Sequence, residues 1–231
     1  MRENAQETRN NDLFLAACRG DAESCLDLLA KGARPDAHKN IDQKTALMLA
    51  AEKEYAHIVQ VLIEHGADVN LKDQFDQTAL HAVAINDCSD TQTLDMLLKA
   101  GADTTAQDYS GMTPLMLAHT GPKTICLLKA NADIINMQSK NRSTAIMLAL
   151  RHAQLGVGDE NCVIALFEAG ADIDTLKDYQ GYTALDYYNE SRCPDSITKL
   201  FKAAQFRTAA EKGTPRRRKI IRPVKTVPGV S

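Results

Sequence analysis

The chain has 231 residues, of which 44% are hydrophobic and 25% charged, with no Trp and a formal net charge of −3. A total so close to neutral argues against a surface built throughout for nucleic acid or another polyanion, and no segment approaches the ~18 consecutive apolar residues of a membrane span. The charge is unevenly spread: residues 206–231 carry eight Lys or Arg against one Glu, a local +7 that leaves −10 on residues 1–205.

Residues 1–10 are polar and read as an N-terminal extension. From residue 11 the pattern is one of paired short helices. In the first unit, 11–42, "DLFLAACRGDAESCLDLLAKGA" breaks at Arg19-Gly20-Asp21. The second, 43–75, sets Leu47, Ala50 and Ala51 on one helix and Ile58, Val61 and Leu62 on the next, at the spacings of three and four that mark a helix face. Thr45 fits the first helix start, where its hydroxyl can take a bond from a free backbone N–H. Gly66 fits a left-handed helix end. The third unit, 76–110, has two extra residues near "NDCSDTQ" between its helices. The fourth, 111–141, is three residues short at "HTGPKT", with Pro122 suited to open a helix and Asn131 standing where the other units have a left-handed Gly. The fifth, 142–180, is five residues long, and "QLGVGDEN" reads as the loop that absorbs them. The sixth, 181–204, carries Asp186, Tyr187 and Tyr188 and reads as a terminal cap whose two rings belong to the core or cover it. From 205 onward Pro and Gly replace helical periodicity, and the tail 205–231 is expected to be flexible.

The units repeat one sentence. Its first half recurs as Gly66-Ala67-Asp68, Gly101-Ala102-Asp103, Asn131-Ala132-Asp133 and Gly170-Ala171-Asp172. Its second half recurs as Thr45-Ala46-Leu47, Thr78-Ala79-Leu80, Thr113-Pro114-Leu115, Thr144-Ala145-Ile146 and Thr183-Ala184-Leu185. The Thr residues are 33, 35, 31 and 39 apart, a period that marks stacked repeats. This two-part motif resembles the ankyrin repeat, Asp-x-x-Gly-x-Thr-Pro-Leu-His-x-Ala-Ala followed by a second helix and Gly-Ala-Asp-Val-Asn. The resemblance covers residues 11–204. It implies an all-α solenoid of stacked helix–turn–helix units joined by β-hairpin loops, four full units between two caps. It also implies that His81, at the family's Thr-Pro-Leu-His position, bridges backbone groups of adjacent hairpins.

Catalysis finds no foothold. Phosphate-loop, Gly-x-Ser-x-Gly and His-Glu-x-x-His patterns are missing, and a repeat array lacks the deep pocket that most catalysis uses. The six cysteines, Cys18, Cys25, Cys88, Cys126, Cys162 and Cys193, form no Cys-x-x-Cys pair. They read as buried reduced thiols rather than metal ligands or disulfides. No cofactor and no metal is expected.

What the resemblance implies instead is a non-enzymatic module that holds a partner protein in a concave groove lined by hairpin tips and the exposed side of the first helices. Carried over position by position, the tip residues include Ile41, Gln74, Phe75, Gln77, Tyr109, Met112, Lys140, Asn141, Tyr179 and Tyr182. The helix residues include Lys53, Ile85, Asn86, Thr120, Arg151 and His152. Four of the 11 Phe and Tyr, namely Phe75, Tyr109, Tyr179 and Tyr182, fall at tips. Exposed rings beside small polar residues have the makings of binding anchors; the competing reading lays each ring flat on its neighbouring tip. The basic cluster Arg216, Arg217, Arg218, Lys219 and Arg222 supports an alternative: a nucleus-directed or nucleic-acid-associated regulator acting through its tail, with strongly salt-dependent contacts. The plainer reading of the tail is a solvated segment that keeps an acidic body soluble. The N-terminus, without an apolar run, reads as that of a cytoplasmic monomer. A nuclear location and signal-independent export as an effector remain open from the sequence alone.

Overall fold

The computed structural model describes residues 2–37, 42–156, 159–190 and 194–202. Helices come in pairs: α1 (Arg2–Arg19) with α2 (Ala22–Ala30), α3 (Ala46–Glu52) with α4 (Ala56–Glu64), and α5 (Ala79–Ile85) with α6 (Gln92–Lys99). Then come α7 (Pro114–Leu117) with α8 (Gly121–Ala130), α9 (Ala145–Leu155) with α10 (Glu160–Glu168), and α11 (Ala184–Glu190) with the helical residues 195–202. The first helices of successive pairs pack on one another in an inner row, α1 to α3 to α5 to α7 to α9 to α11. The second helices form an outer row, α2 to α4 to α6 to α8 to α10. This is an all-α solenoid.

Local chemistry sets the punctuation. Each inner helix after the first starts at a buried Thr: Thr45, Thr78, Thr113, Thr144 and Thr183. Thr45 Oγ1 accepts from Met48 N at 3.2 Å and Thr113 Oγ1 from Met116 N at 3.4 Å. Thr183 and Asp186 cap each other, the carboxylate accepting from Thr183 N while Thr183 Oγ1 accepts from Asp186 N. Four outer helices, α2, α4, α6 and α10, end at glycines with positive φ; at Gly66 it is 84° and nothing crowds the missing side chain, so conformation rather than space demands glycine there. Between these stops, Leu47, Leu80, Leu115 and Ile146 from the inner row meet Ile58, Leu62, Leu94, Leu97, Leu127 and Val163 from the outer row in one continuous core. No single pair hides these side chains by itself, so the stack is the unit of stability. At the far end the cap is aromatic: Tyr188 stacks on fully buried Phe201 at 4.5 Å, and Phe167 meets the same ring at 5.3 Å.

Four sequence expectations need correction. The first ten residues are not set apart, because α1 is one helix from Arg2 and Gln6 Nε2 donates to Gly32 O at 2.8 Å. Asn131 is not left-handed: its φ is −155°, and its side chain instead caps the 3-10 helix Ala132–Asn136 by accepting from Asp133 N. The five extra residues of the fifth unit are not all loop. The run Ala149 to Leu155 favours helix, so α9 continues to Leu155 and stops at left-handed Gly156, while Asp159 caps α10. The hairpins contain no strand among the described residues: each tip makes too few consecutive backbone bonds for a ladder.

One contact skips a repeat. Lys123, at the start of α8, is fully buried, and its ammonium donates to Glu54 Oε1 at 2.6 Å, Val83 O at 2.8 Å and Asn86 O at 2.9 Å. The two carbonyls belong to the C-terminal end of α5: Val83 O also accepts from Asn86 N at 3.3 Å, so the ammonium is its second donor, whereas Asn86 O lies past the last helical turn. In the chain's own register Lys123 stands level with Ile58 of α4, a core position. The short α7 and the missing residues before α8 leave room for its amine to reach back to the second unit.

Candidate protein-binding groove

The tips are built alike. In three of them a carboxylate oxygen at the base accepts two backbone N–H groups across the turn: Asp73 from Phe75 and Gln77, Asp108 from Ser110 and Met112, Asp178 from Gln180 and Tyr182. Ser139 takes this place in the remaining tip, its hydroxyl accepting from Ser143 N at 3.2 Å. Two backbone bonds close each turn, as from Asp108 N to Met112 O at 3.0 Å and from Gly111 N to Asp108 O at 2.8 Å. One more joins each tip to the last: Gln74 N to Asp42 O at 3.0 Å, Tyr109 N to Phe75 O at 2.8 Å, Lys140 N to Ser110 O at 3.0 Å and Tyr179 N to Asn141 O at 3.1 Å. The tips therefore stand in a registered row, held from below by carboxylates and along the row by the main chain.

His81 ties the row to the inner helices. Its Nδ1 accepts from Thr78 N at 3.1 Å and its Nε2 donates to Met112 O at 3.1 Å, which fixes the neutral tautomer. Burial holds its pKa below the usual histidine value, against the raising effect of the bond to Met112. The imidazole thus spans two units, as the resemblance implied.

The register sorts the sequence-derived groove residues. Gln74, Tyr109, Lys140 and Tyr179 occupy one equivalent position, each donating its N–H to the preceding tip; Phe75 sits one place along, beside that column rather than in it. Tyr109, Tyr179, Phe75 and Tyr182 are 69%, 67%, 51% and 37% exposed. Lys140 Nζ lies 4.5 Å from the centre of the Tyr109 ring. Tyr182 leans on Tyr187, ring centres 5.9 Å apart, and the Tyr187 hydroxyl donates to Asp178 at 2.7 Å. Burial, helped by Asp178, pushes that phenol up to about 12. Lys53, Asn141 and Arg151 are exposed, and Gln77 is half-buried.

Three residues from the sequence reading are occupied elsewhere. Asn86 is spent inside the fold: its amide donates to Glu52 O at 3.0 Å, its side-chain oxygen accepts from Cys88 N, and its backbone carbonyl accepts Lys123. Met112 packs against the core, and Thr120 is buried at the start of α8. Ile41 and the tail cluster Arg216, Arg217, Arg218, Lys219 and Arg222 lie outside the described residues. Sequence reasoning missed the Tyr109–Lys140–Tyr179 column as a unit, because the one-place offset between Phe75 and Tyr109 emerges only from the bonds between tips.

Between the fourth and fifth units, His119 and His152 meet edge to face with ring centres 4.9 Å apart, and His119 Nδ1 stands 3.5 Å from Asp87. Burial, then the neighbouring His119 and Arg151, hold the His152 pKa down. Among the described residues no cluster of three His, Cys, Asp or Glu could hold a metal ion. Cys25, Cys126 and Cys162 are pushed up to about 11, 12 and 11, first by burial. No helix among the described residues is long and apolar enough to cross a membrane.

A stack of helix pairs with a registered row of turns along one edge defines a repeat solenoid. The family model for ankyrin repeats matches residues 13–108 and 66–134. The chain belongs to the ankyrin repeat family, whose repeats are in general protein–protein interaction modules rather than catalytic units. It is 29% identical over 79% of its length to a putative palmitoyltransferase, ZDHHC13, of Danio rerio. It is 34% identical over 58% of its length to inversin of Gallus gallus, and 31% identical over 49% to ankyrin repeat and SOCS box protein 6 of Mus musculus. These alignments cover 28%, 12% and 27% of those proteins, so the chain spans less than a third of each.

Proposed function

We propose that residues 11–204 form a non-enzymatic module that holds a partner protein in the concave groove, with Phe75, Tyr109, Tyr179 and Tyr182 as anchors and Lys53, Gln74, Asn141 and Arg151 setting specificity. The observation that carries this reading is the exposure of the rings on a backbone already fully bonded: Tyr109 and Tyr179 remain 69% and 67% exposed while their N–H groups are tied to the preceding tips. A large ring in water gains little from folding, and its rigid base spares the ordering cost that a mobile loop would meet on binding. The module acts as a monomer in a reducing compartment, which fits the five described cysteines all being free thiols.

The test is capture of partners from cells by the intact chain, by a Phe75→Ala/Tyr109→Ala/Tyr179→Ala variant and by a chain ending at residue 206. Partners held by the intact chain and the shortened chain, and lost with the triple variant, support the groove. Partners lost only on shortening move the function to the tail.

A further inference from the structure

From the groove reading above, we infer that the half formed by tips 109–112, 140–143 and 179–182 takes a short extended acidic segment of a partner protein, one that carries an aromatic or large aliphatic side chain. The column Tyr109–Lys140–Tyr179 alternates ring, cation, ring, in successive tips joined by main-chain bonds. Lys140 lies over the Tyr109 face, 4.5 Å from its centre, an arrangement that holds the ammonium in place. The same three units carry three further cations. Arg142 shares its tip and is exposed, as are Arg151 and Lys177. Arg151 stands within electrostatic reach of Tyr187, whose ring meets Tyr182.

None of these four cations forms an ion pair with a described carboxylate. The acids nearby are engaged: Asp108 and Asp178 hold the tips, and Asp186, which feels Lys177, accepts from Thr183 N and Oγ1. The other half of the groove is different. There Lys44 is already paired with Glu52 at 2.8 Å, and Asp76 is exposed. Unpaired groove cations are thus concentrated at one end, four against Lys53 in the other half, of a body that carries −10 over residues 1–205. Such a patch favours partner carboxylates and disfavours the chain's own basic tail. With inner helices packed roughly 8–10 Å apart, three tips span roughly 20 Å, the reach of about six residues of extended chain. Carboxylates of that segment meet Lys140 and Arg151, and its apolar side chain lies on Tyr179 or Tyr109.

The experiment is selection of phage-displayed random 12-residue peptides on the full chain, followed by affinity measurement on the synthesised peptides that enrich. The expected outcome is enrichment of peptides with net negative charge and at least one aromatic or large aliphatic residue. Lys140→Glu and Arg151→Glu, both at exposed sites, should weaken them at least about tenfold, and Tyr109→Ala should weaken them independently of salt. Enrichment of neutral or basic peptides that still need Tyr109 and Tyr179 overturns the acidic-segment inference and leaves the groove reading standing. Enriched peptides indifferent to Tyr109→Ala, Tyr179→Ala and Lys140→Glu overturn both. Failure to enrich any peptide overturns the inference of a linear segment, while a partner lost with the ring variants in the capture test still upholds the groove.

Discussion

Replacing Lys123 with Met tests whether distant units are tied together. The wild-type ammonium spends all three N–H donors, on Glu54 Oε1, Val83 O and Asn86 O, at 2.6 to 2.9 Å. Met fills similar volume without a donor. It leaves the Glu54 carboxylate, 12% exposed, without its partner, removes the side-chain donor to Asn86 O and leaves Val83 O with only its bond from Asn86 N. Removing one member of a buried pair costs about 3–5 kcal/mol. The buried Met side chain returns about 1 kcal/mol of hydrophobic burial, for a net loss of roughly 3 kcal/mol. Glu54→Gln keeps an acceptor beside the ammonium but leaves its buried charge uncompensated, so its cost is also about 3 kcal/mol. In the double variant no buried charge is stranded, and its cost should be less than the sum of the singles by at least about 1 kcal/mol. Urea unfolding followed by helical circular dichroism gives all four stabilities. Because Glu54 and Lys123 are 69 positions apart and two units removed, the single variant should also broaden the transition as cooperativity between units weakens. A Lys123→Met protein within about 0.5 kcal/mol of wild type, with an unchanged slope, would refute the clamp.

Other expectations follow from the same geometry. Neutral His81 is a depressed-pKa group, so its contribution is intact above the unfolded value near 6.5 and is lost as pH falls below that toward the folded value. The urea midpoint should drop between pH 6.5 and 5 at a slope of at most about 1.4 kcal/mol per unit for this residue, and His81→Gln should drop less steeply; an identical slope in both proteins would remove His81 as the cause. Gly111→Ala places a Cβ 2.7 Å from Lys140 N, whereas Gly66→Ala meets open space. Both lose a positive-φ glycine worth about 1 kcal/mol, so the Gly111 variant should be the less stable of the two in thermal melts, and equal losses would contradict the tip packing. Cys18 and Cys88 are exposed, whereas Cys25, Cys126 and Cys162 are raised to about 11, 12 and 11. In the native protein a thiol reagent should label the first two quickly and the other three only on unfolding; fast labelling of Cys126 would break its bond to Asp95 from the account.

What the sequence made legible is what local chemistry demands. Thr183 and Gly66 announce helix starts and stops because a cap hydroxyl and a left-handed backbone are satisfied within a few residues, whatever lies beyond. His81 was legible through resemblance, since its bridge recurs with the repeat. The misses have a common cause. Asn131 has a side chain able to serve either a left-handed stop or a following cap, and only the 3-10 turn decides between them. Asn86 looked free on an exposed helix position until α3 and Lys123 claimed its amide and carbonyl from 34 and 37 residues away. Lys123 itself, an ordinary polar letter after Gly-Pro, gains its role from a deletion that changes which residues can reach α5. The ring–cation–ring column was hidden for the same reason: bonds between tips, not spacing along the chain, put Lys140 between two tyrosines and Phe75 outside their line.

Hydroxyl-radical footprinting of the full chain, free and with a captured partner bound, addresses the groove most directly. The account predicts loss of oxidation at Tyr109 and Tyr179, exposed at 69% and 67%, with Phe75 following them. Leu26 on α2 and Ile125 on α8, exposed at 45% and 43% on the outer row, should keep their free-state rates. Protection confined to those outer helices or to residues 205–231, with the tip rings as reactive as before, would contradict it.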